Sequence, residues 1–207
     1  MVRITSYLTG LDIRIVTFLL RNLTEEFSIR EIARQTKTDY KLTHSTIQRL
    51  TDKGILGKKR KANLDLCSLN LKGDLTGVFT VEMLRAQEFL EQHPSLKDFF
   101  CAIKNKVKTT YYSLVVFGSF AKGSETPASD IDLIIITPHR AVGEEIERIV
   151  NNEAVLLGRS IQSLVLDEKE FIENLASKKL NVVVEAFKNH IIITGVEGFY
   201  NGVRQAL

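Results

Sequence analysis

Leu11, Ile15, Val16, Leu19, Leu20 and Leu23 recur every three or four residues, the spacing of one helix face, and predict a first helix from about Leu11 to Leu23. Ser28 with Glu31 three residues on is a capping box, and Ile29, Ile32 and Ala33 form the buried stripe of a short second helix. Thr38 or Asp39 caps a third helix that turns Leu42, Thr46, Ile47 and Leu50 inward and ends at Lys53-Gly54, where glycine suits the left-handed turn. Ile55-Leu56, the tip Lys58-Lys59-Arg60-Lys61-Ala62-Asn63 and the run Leu64 to Leu69 predict a two-stranded ribbon. The alternation of Leu64, Leu66 and Ser68 against Asp65 and Cys67 is rough.

Lys72-Gly73-Asp74 interrupts the pattern. Beyond it Phe79, Met83, Ala86 and Leu90 draw one apolar line, widened by Val78, Leu84 and Phe89, which predicts a connecting helix packed against a neighbouring domain or a second copy of the chain. Pro94 stops that helix and Ser95 caps the next, running to about Val107. Apolar runs at 112–117, 131–137, 161–166 and 191–194 then alternate with helical patterns at 142–156, from Asp167 onward, and up to about His190. The run at 131–137 is continuously apolar, so it is expected at the centre of a sheet, covered on both faces. The fold class expected is α+β in two domains: residues 1–73, a connecting helix at 74–94, and a small mixed sheet with flanking helices at 95–207.

Composition changes the picture in one respect. Hydrophobic residues make up 44% and charged residues 26%, as in ordinary globular proteins, and no apolar run nears the ~18 residues that span a membrane. Asp12 and Arg14 break the first apolar stretch, which argues against a signal peptide. Cys67 and Cys101 are isolated, which fits a reducing, cytoplasmic setting better than a disulfide framework or a zinc site. The charge, however, is split. Residues 1–73 hold 14 Lys/Arg against 7 Asp/Glu, and residues 74–207 hold 14 against 18. The first third is the basic part and suits a polyanionic partner.

The candidate chemistry lies in YYSLVVFGSFAKGSETPASDIDLIIIT, residues 111–137. One apolar run ends at Gly118-Ser119, a small polar loop follows, and Asp130 and Asp132 open the next run. Positions two apart on a strand share a face, so both carboxylates are expected to point at one spot. A Gly-Ser turn beside them offers backbone N–H groups to phosphate oxygens, and paired carboxylates beside such a cradle suit metal-assisted phosphoryl or nucleotidyl transfer.

The pattern apolar-Gly-Ser-x-x-x-Gly followed by Ser-Asp-x-Asp-Leu, on Gly118, Ser119, Gly123, Ser129, Asp130, Asp132 and Leu133, resembles the minimal nucleotidyltransferases of the DNA polymerase beta superfamily. The resemblance implies that Asp130 and Asp132 are catalytic and hold Mg²⁺, and that Gly118, Ser119, Lys122, Gly123 and Ser129 bind ATP or another nucleoside triphosphate. The acceptor hydroxyl could belong to a protein side chain or an RNA end. Active members of the superfamily carry a third carboxylate on the next strand. Here the corresponding residue is Gln162, with Ser163 beside it and Asp167 about 15 Å further along a strand. A second reading follows from that departure: a transcription regulator whose transferase-like domain is a degenerate nucleotide sensor or a dimerisation unit.

The phrase SIREIARQT…LTHSTIQRLTDKGIL, followed by the basic hairpin, is similar to the winged helix-turn-helix domains of prokaryotic transcription regulators. That resemblance implies that residues 1–73 bind DNA. Lys41, Thr43, His44, Ser45, Gln48 and Arg49 of the third helix would face the major groove, and Lys58, Lys59, Arg60 and Lys61 the phosphates. Such regulators bind as symmetric dimers, so a homodimer through the connecting helix is a further expectation, with protein docking as another use of the same domain.

Overall fold

The computed structural model describes residues 7–23, 25–177 and 181–207. The described residues form a mixed α+β protein with two sheets and ten helices. The chain divides into two compact units between Val81 and Glu82.

In the first unit, α1 (Gly10–Leu20) opens on a capping box in which Thr9 and Asp12 exchange bonds. β1 (Phe27–Ser28) leads into α2 (Ile29–Gln35), where Ser28 and Glu31 form the expected box. Asp39 caps α3 (Tyr40–Asp52) by accepting from the Lys41 and Leu42 amides. Gly54, at φ +72°, turns the chain into β2 (Leu56–Lys61), which returns as β3 (Leu64–Leu69). The sheet has three strands, in the antiparallel order β1-β3-β2, where the sequence suggested two. Phe27 and Ser28 are too short a segment to show a strand period, yet they pair with Cys67 and Leu66.

Ile15, Val16, Leu19, Leu20, Ile32, Ile47, Leu50 and Cys67 are almost wholly excluded from solvent in this unit. Each large aliphatic side chain of that kind contributes about 1.5–3 kcal/mol to holding the helices on the sheet. One inward assignment, on α3, is corrected. Leu42 is 53% exposed and the buried position is Thr43, while Leu64 is exposed and Cys67 and Leu69 carry the inner face of β3.

The helix α4 (Thr76–Gln92) contains the division between the units. Its buried positions are Gly77, Val78, Val81, Glu82, Arg85, Ala86 and Phe89; Met83, expected inside, is 66% exposed. Pro94 does not merely stop this helix. It is the first residue of α5 (Pro94–Lys106), where its missing N–H costs nothing, and Ser95 therefore is not the cap.

The second unit continues with β4 (Ser113–Phe117), the short α6 (Gly118–Lys122), β5 (Ile131–Thr137), α7 (Arg140–Leu157), β6 (Ile161–Asp167), α8 (Glu168–Ala176), α9 (Val182–Lys188), β7 (Ile191–Thr194) and α10 (Val196–Ala206). The sheet order is β6-β5-β4-β7, with β5 parallel to β6 and β4 antiparallel to both its neighbours. β5 is central, as its unbroken apolar run predicts, and Ile131, Leu133, Ile134, Ile135 and Ile136 are all buried. Phe99, Phe100 and Ile103 of α5 and Ile146 and Val150 of α7 join the same hydrophobic core. The long α7 ends on Gly158 in the left-handed conformation, and Asp167 caps α8 with a capping box to Glu170. The consequence for function is topological. The end of β4 and the start of β5 are antiparallel neighbours, so Gly118-Ser119 and Asp130–Asp132 are brought to one edge of a rigid sheet.

Candidate functional site

Register fixes the site. Phe117, the last residue of β4, pairs with Asp132, and Asp132 pairs on its other side with Gln162 of β6. Gly118 follows at φ +68°, a backbone conformation that favours glycine. A second constraint acts on the same residue: a Cβ at Gly118 would stand 1.9 Å from Asp132 Oδ2. The missing side chain is therefore filled by the Asp132 carboxylate, which lies directly against the turn. Ser119 and Lys122 follow on α6, half-buried and exposed, and Gly123 closes that helix at φ +67°.

Asp130 sits just before β5, so it is not a strand residue, yet its charge still reaches Asp132. Burial raises the Asp132 pKa above the ordinary carboxylate value and the Asp130 charge adds to the rise, with Lys122 opposing both. Asp130 Oδ2 accepts a hydrogen bond of 2.8 Å from Gln162 Nε2. Gln162 thus lies beside both carboxylates, next to Asp132 by register and bonded to Asp130. It is exposed, and Ser163 behind it holds a buried hydroxyl with no hydrogen-bond partner.

Two half-buried carboxylates that repel one another, with one lysine nearby, form a locus of uncompensated negative charge. That donor set fits a hard divalent cation, which takes oxygen ligands and completes its shell with water and phosphate. Among the described residues no third His, Cys, Asp or Glu joins the pair. Ser129 Oγ accepts from the Thr126 amide (2.8 Å) and lies 3.2 Å from Thr126 Oγ1, contacts that hold the loop before Asp130 together.

On α3, Lys41, His44, Ser45 and Gln48 are exposed. Thr43 is not available to a partner: it is wholly buried and its hydroxyl donates to Asp39 O, because the helix turns that position toward the core. Arg49 is already committed, pairing at 2.6 Å with the buried Asp12 and tying α3 to α1. Sequence reading missed Asp12 because an acid in the first turn of a helix looks like a surface feature. In the hairpin, Lys58 and Arg60 both pair across the strands with Asp65, whose carboxyl they hold below its ordinary value. Lys59 is 3.9 Å from Glu26, and Lys61 is exposed at the tip.

Comparison with known proteins agrees with the second unit's geometry. Residues 96–193, which include Gly118, Ser119, Asp130 and Asp132, match the family model of the nucleotidyltransferase domain. A stretch of 47 residues is 34% identical to a Methanocaldococcus jannaschii protein provisionally named a protein adenylyltransferase, covering 23% of this chain. The match takes in 47% of that relative, so the chain spans about half the length of the curated protein it resembles. Among solved structures, a homodimeric winged helix-turn-helix DNA-binding domain from Mycobacterium bovis aligns with 41% of this chain and 71% of its own. Identity there is 15% and the TM-score 0.32, a likeness too slight to carry weight.

Proposed function

We propose that the protein is a Mg²⁺-dependent nucleotidyltransferase-like protein whose second unit binds ATP or a related nucleoside triphosphate at Gly118–Asp132. The observation that carries the reading is the Asp132 carboxylate seated in the space left by the missing Gly118 side chain, with Asp130 beside it. The match of residues 96–193 to the nucleotidyltransferase domain supports the same reading. Asp130 and Asp132 would hold the cation, which when bound supplies charge neutralisation for the phosphates and for the attacking oxygen. Ser119 offers its N–H and hydroxyl to phosphate oxygens, and Lys122 adds positive charge to the same edge. In transfer, an acceptor hydroxyl oxygen bonds to the α-phosphorus, the bond to the β-phosphate oxygen breaks, and pyrophosphate leaves. The acceptor proton passes to solvent, because the amide of Gln162 takes none. The relative's name favours an adenylyl group and a protein acceptor over an RNA end.

The first unit, on this proposal, is a winged helix-turn-helix that brings the chain to DNA. Lys41, His44, Ser45 and Gln48 face the bases, and the tip of β2–β3 faces the phosphates. Helices α1–α3 followed by a basic antiparallel hairpin support it. A second reading draws on a specific observation: Gln162 stands where a third carboxylate would stand and already occupies Asp130. A site with that arrangement can hold a nucleotide as a signal without turning it over.

Incubation with labelled nucleotides, Mg²⁺ or Mn²⁺ and candidate protein and RNA acceptors separates the two. Label transfer that disappears in Asp132→Ala supports the enzyme, and nucleotide binding without transfer supports the sensor. Transfer that survives Asp132→Ala overturns the assignment of the carboxylates. For the first unit, DNA retardation unchanged after neutralising Lys58, Lys59, Arg60 and Lys61 together would rule out the hairpin as a phosphate contact.

A further inference from the structure

The loop that delivers Asp130 is held from outside the site by a residue the nucleotidyltransferase reading does not use. His93 follows the last residue of α4 and is the N-cap of α5, yet its side chain makes no capping bond. Instead Nδ1 lies 2.8 Å from Phe89 O and Nε2 lies 3.0 Å from Glu125 Oε1. A carbonyl and a carboxylate can only accept, so the ring makes both contacts when each nitrogen carries a proton. The ring is also packed between aromatic neighbours, 4.5 Å from the Phe89 ring centre and 5.7 Å from that of Phe120 on α6.

Glu125 lies in the loop between Gly123 and Asp130. The second oxygen of its carboxylate is buried without a partner, so the side chain is held inward by His93 at some cost. The same loop is closed by the exchange between Thr126 and Ser129, and Arg159 donates to Pro127 O at 3.4 Å. Arg159 also stands 5.7 Å from the Phe120 ring centre. The charged groups about the ring are thus Glu125 and, acting on Glu125, Arg159.

We propose that His93 is a positioning residue for the nucleotide site, fixing loop 124–130 through Glu125 so that Asp130 is presented beside Asp132 and Gly118. The inference rests on the reading of that edge as a nucleotide site, but the holding of the loop can be measured without any nucleotide. His93 touches none of the proposed ligand groups; it acts through Glu125.

The experiment combines amide hydrogen exchange on the full chain with binding of trinitrophenyl-ATP in the presence of Mg²⁺, for wild type, His93→Ala, Glu125→Ala, the double variant and His93→Gln. In His93→Ala, exchange at residues 124–130 rises about tenfold, the scale of one charge-assisted hydrogen bond, while amides of β4 and β5 keep their protection. The double variant is no worse than either single one, as for two residues acting through one contact. His93→Gln, whose amide still donates to Glu125, restores much of the protection and also guards against loss of fold in the alanine variant. Nucleotide affinity falls about tenfold in His93→Ala and recovers in His93→Gln. Unchanged loop exchange in both His93 variants overturns the proposal. So does a loosened loop with unchanged nucleotide affinity, or a double variant whose effects add. If the wild-type chain binds no nucleotide, the nucleotidyltransferase reading fails by itself, and loop exchange still decides whether His93 holds the loop.

Discussion

Two groups of charged side chains in the second unit show how differently one fold treats charge. At one, Glu82 and Arg85 of α4 meet His190 and Tyr200 in the interior. Glu82 Oε1 accepts from Tyr200 (2.7 Å) and faces His190 Nε2 (3.0 Å), Glu82 Oε2 accepts from Arg85 (2.7 Å), and Arg85 also donates to His190 O (2.7 Å). All four are almost fully buried, and both oxygens of the acid are satisfied. At the other, Asp130 and Asp132 are only half-buried, repel one another, and have an exposed amide and an exposed lysine for company. Burial penalises charge in both places. In the first the penalty is outweighed: Arg85 and His190, with hydrogen bonds from His190 and Tyr200, pull Glu82 down to about 2 despite its burial. In the second, burial and repulsion together push Asp132 up. A compensated cluster holds structure. An uncompensated one is charge kept available for a ligand, and this contrast is the physical basis for placing the site at β4–β5 instead of at the more elaborate polar cluster.

The sharpest way to break the contrast is to remove Glu82. Glu82→Ala leaves the Arg85 guanidinium buried without its acid, which costs about 3–5 kcal/mol, or about 10 °C in melting temperature by circular dichroism. A loss below about 1 kcal/mol would mean the cluster is not the structural element described. Acid tests the same group with the sign fixed in advance. The Glu82 carboxyl titrates at about 2 in the folded chain against an ordinary 4.5. Its stabilising contribution is therefore complete above the ordinary value and is lost as pH falls from about 4.5 toward 2. In Glu82→Gln the part of the acid sensitivity due to this residue disappears, which urea titrations at a series of pH values would reveal.

The sequence made one of these clusters plain and concealed the other, for a physical reason. A glycine closing an apolar run, an acid two residues from another, and two apolar strands are local signals, and Gly118, Asp130 and Asp132 could be read from them alone. Capping residues such as Ser28 and Asp39 were legible for the same reason. Glu82 and Arg85 carry no local signal of their role, since His190 and Tyr200 are more than a hundred residues away. A clue was present: they fall in the stripe set by Val78, Val81, Ala86 and Phe89, where a charge has to be paired to be tolerated. The exposed Met83 and the buried Thr43 were misread because a residue's polarity was taken for its direction. The pairing of β1 with β3 was illegible because two residues carry no period, whereas the β2–β3 ribbon was read from its basic tip and flanking apolar runs.

Asp132→Asn sharpens the comparison from the other side, with opposite signs for binding and stability. Neutralising a carboxylate whose ionisation burial and Asp130 disfavour should raise the stability of the chain at neutral pH. The same substitution should weaken Mg²⁺-nucleotide binding by more than about 100-fold, beyond what loss of a supporting contact costs. Melting curves and nucleotide titrations on the same preparation check both. An Asp132→Asn chain less stable than wild type would place Asp132 among the compensated charges and dissolve the distinction.

The smallest expected effect comes from Gln162, and it asks how far the second cluster is from being fully compensated. Gln162 is exposed and makes one hydrogen bond of 2.8 Å to Asp130, so Gln162→Ala should cost no more than about 1 kcal/mol without ligand. Gln162→Glu adds a third carboxylate at the register position facing Asp132, removes the donor to Asp130 and should cost a similar amount in metal-free buffer. The two variants part company when Mg²⁺ is added. A tenfold gain in cation affinity adds about 1.4 kcal/mol at saturating metal, enough to return Gln162→Glu above wild type in melting temperature, while Gln162→Ala gains no such advantage. Equal responses of the two variants to Mg²⁺ would mean that residue 162 does not reach the cation, and no response in either would mean that the carboxylate edge is not a cation site.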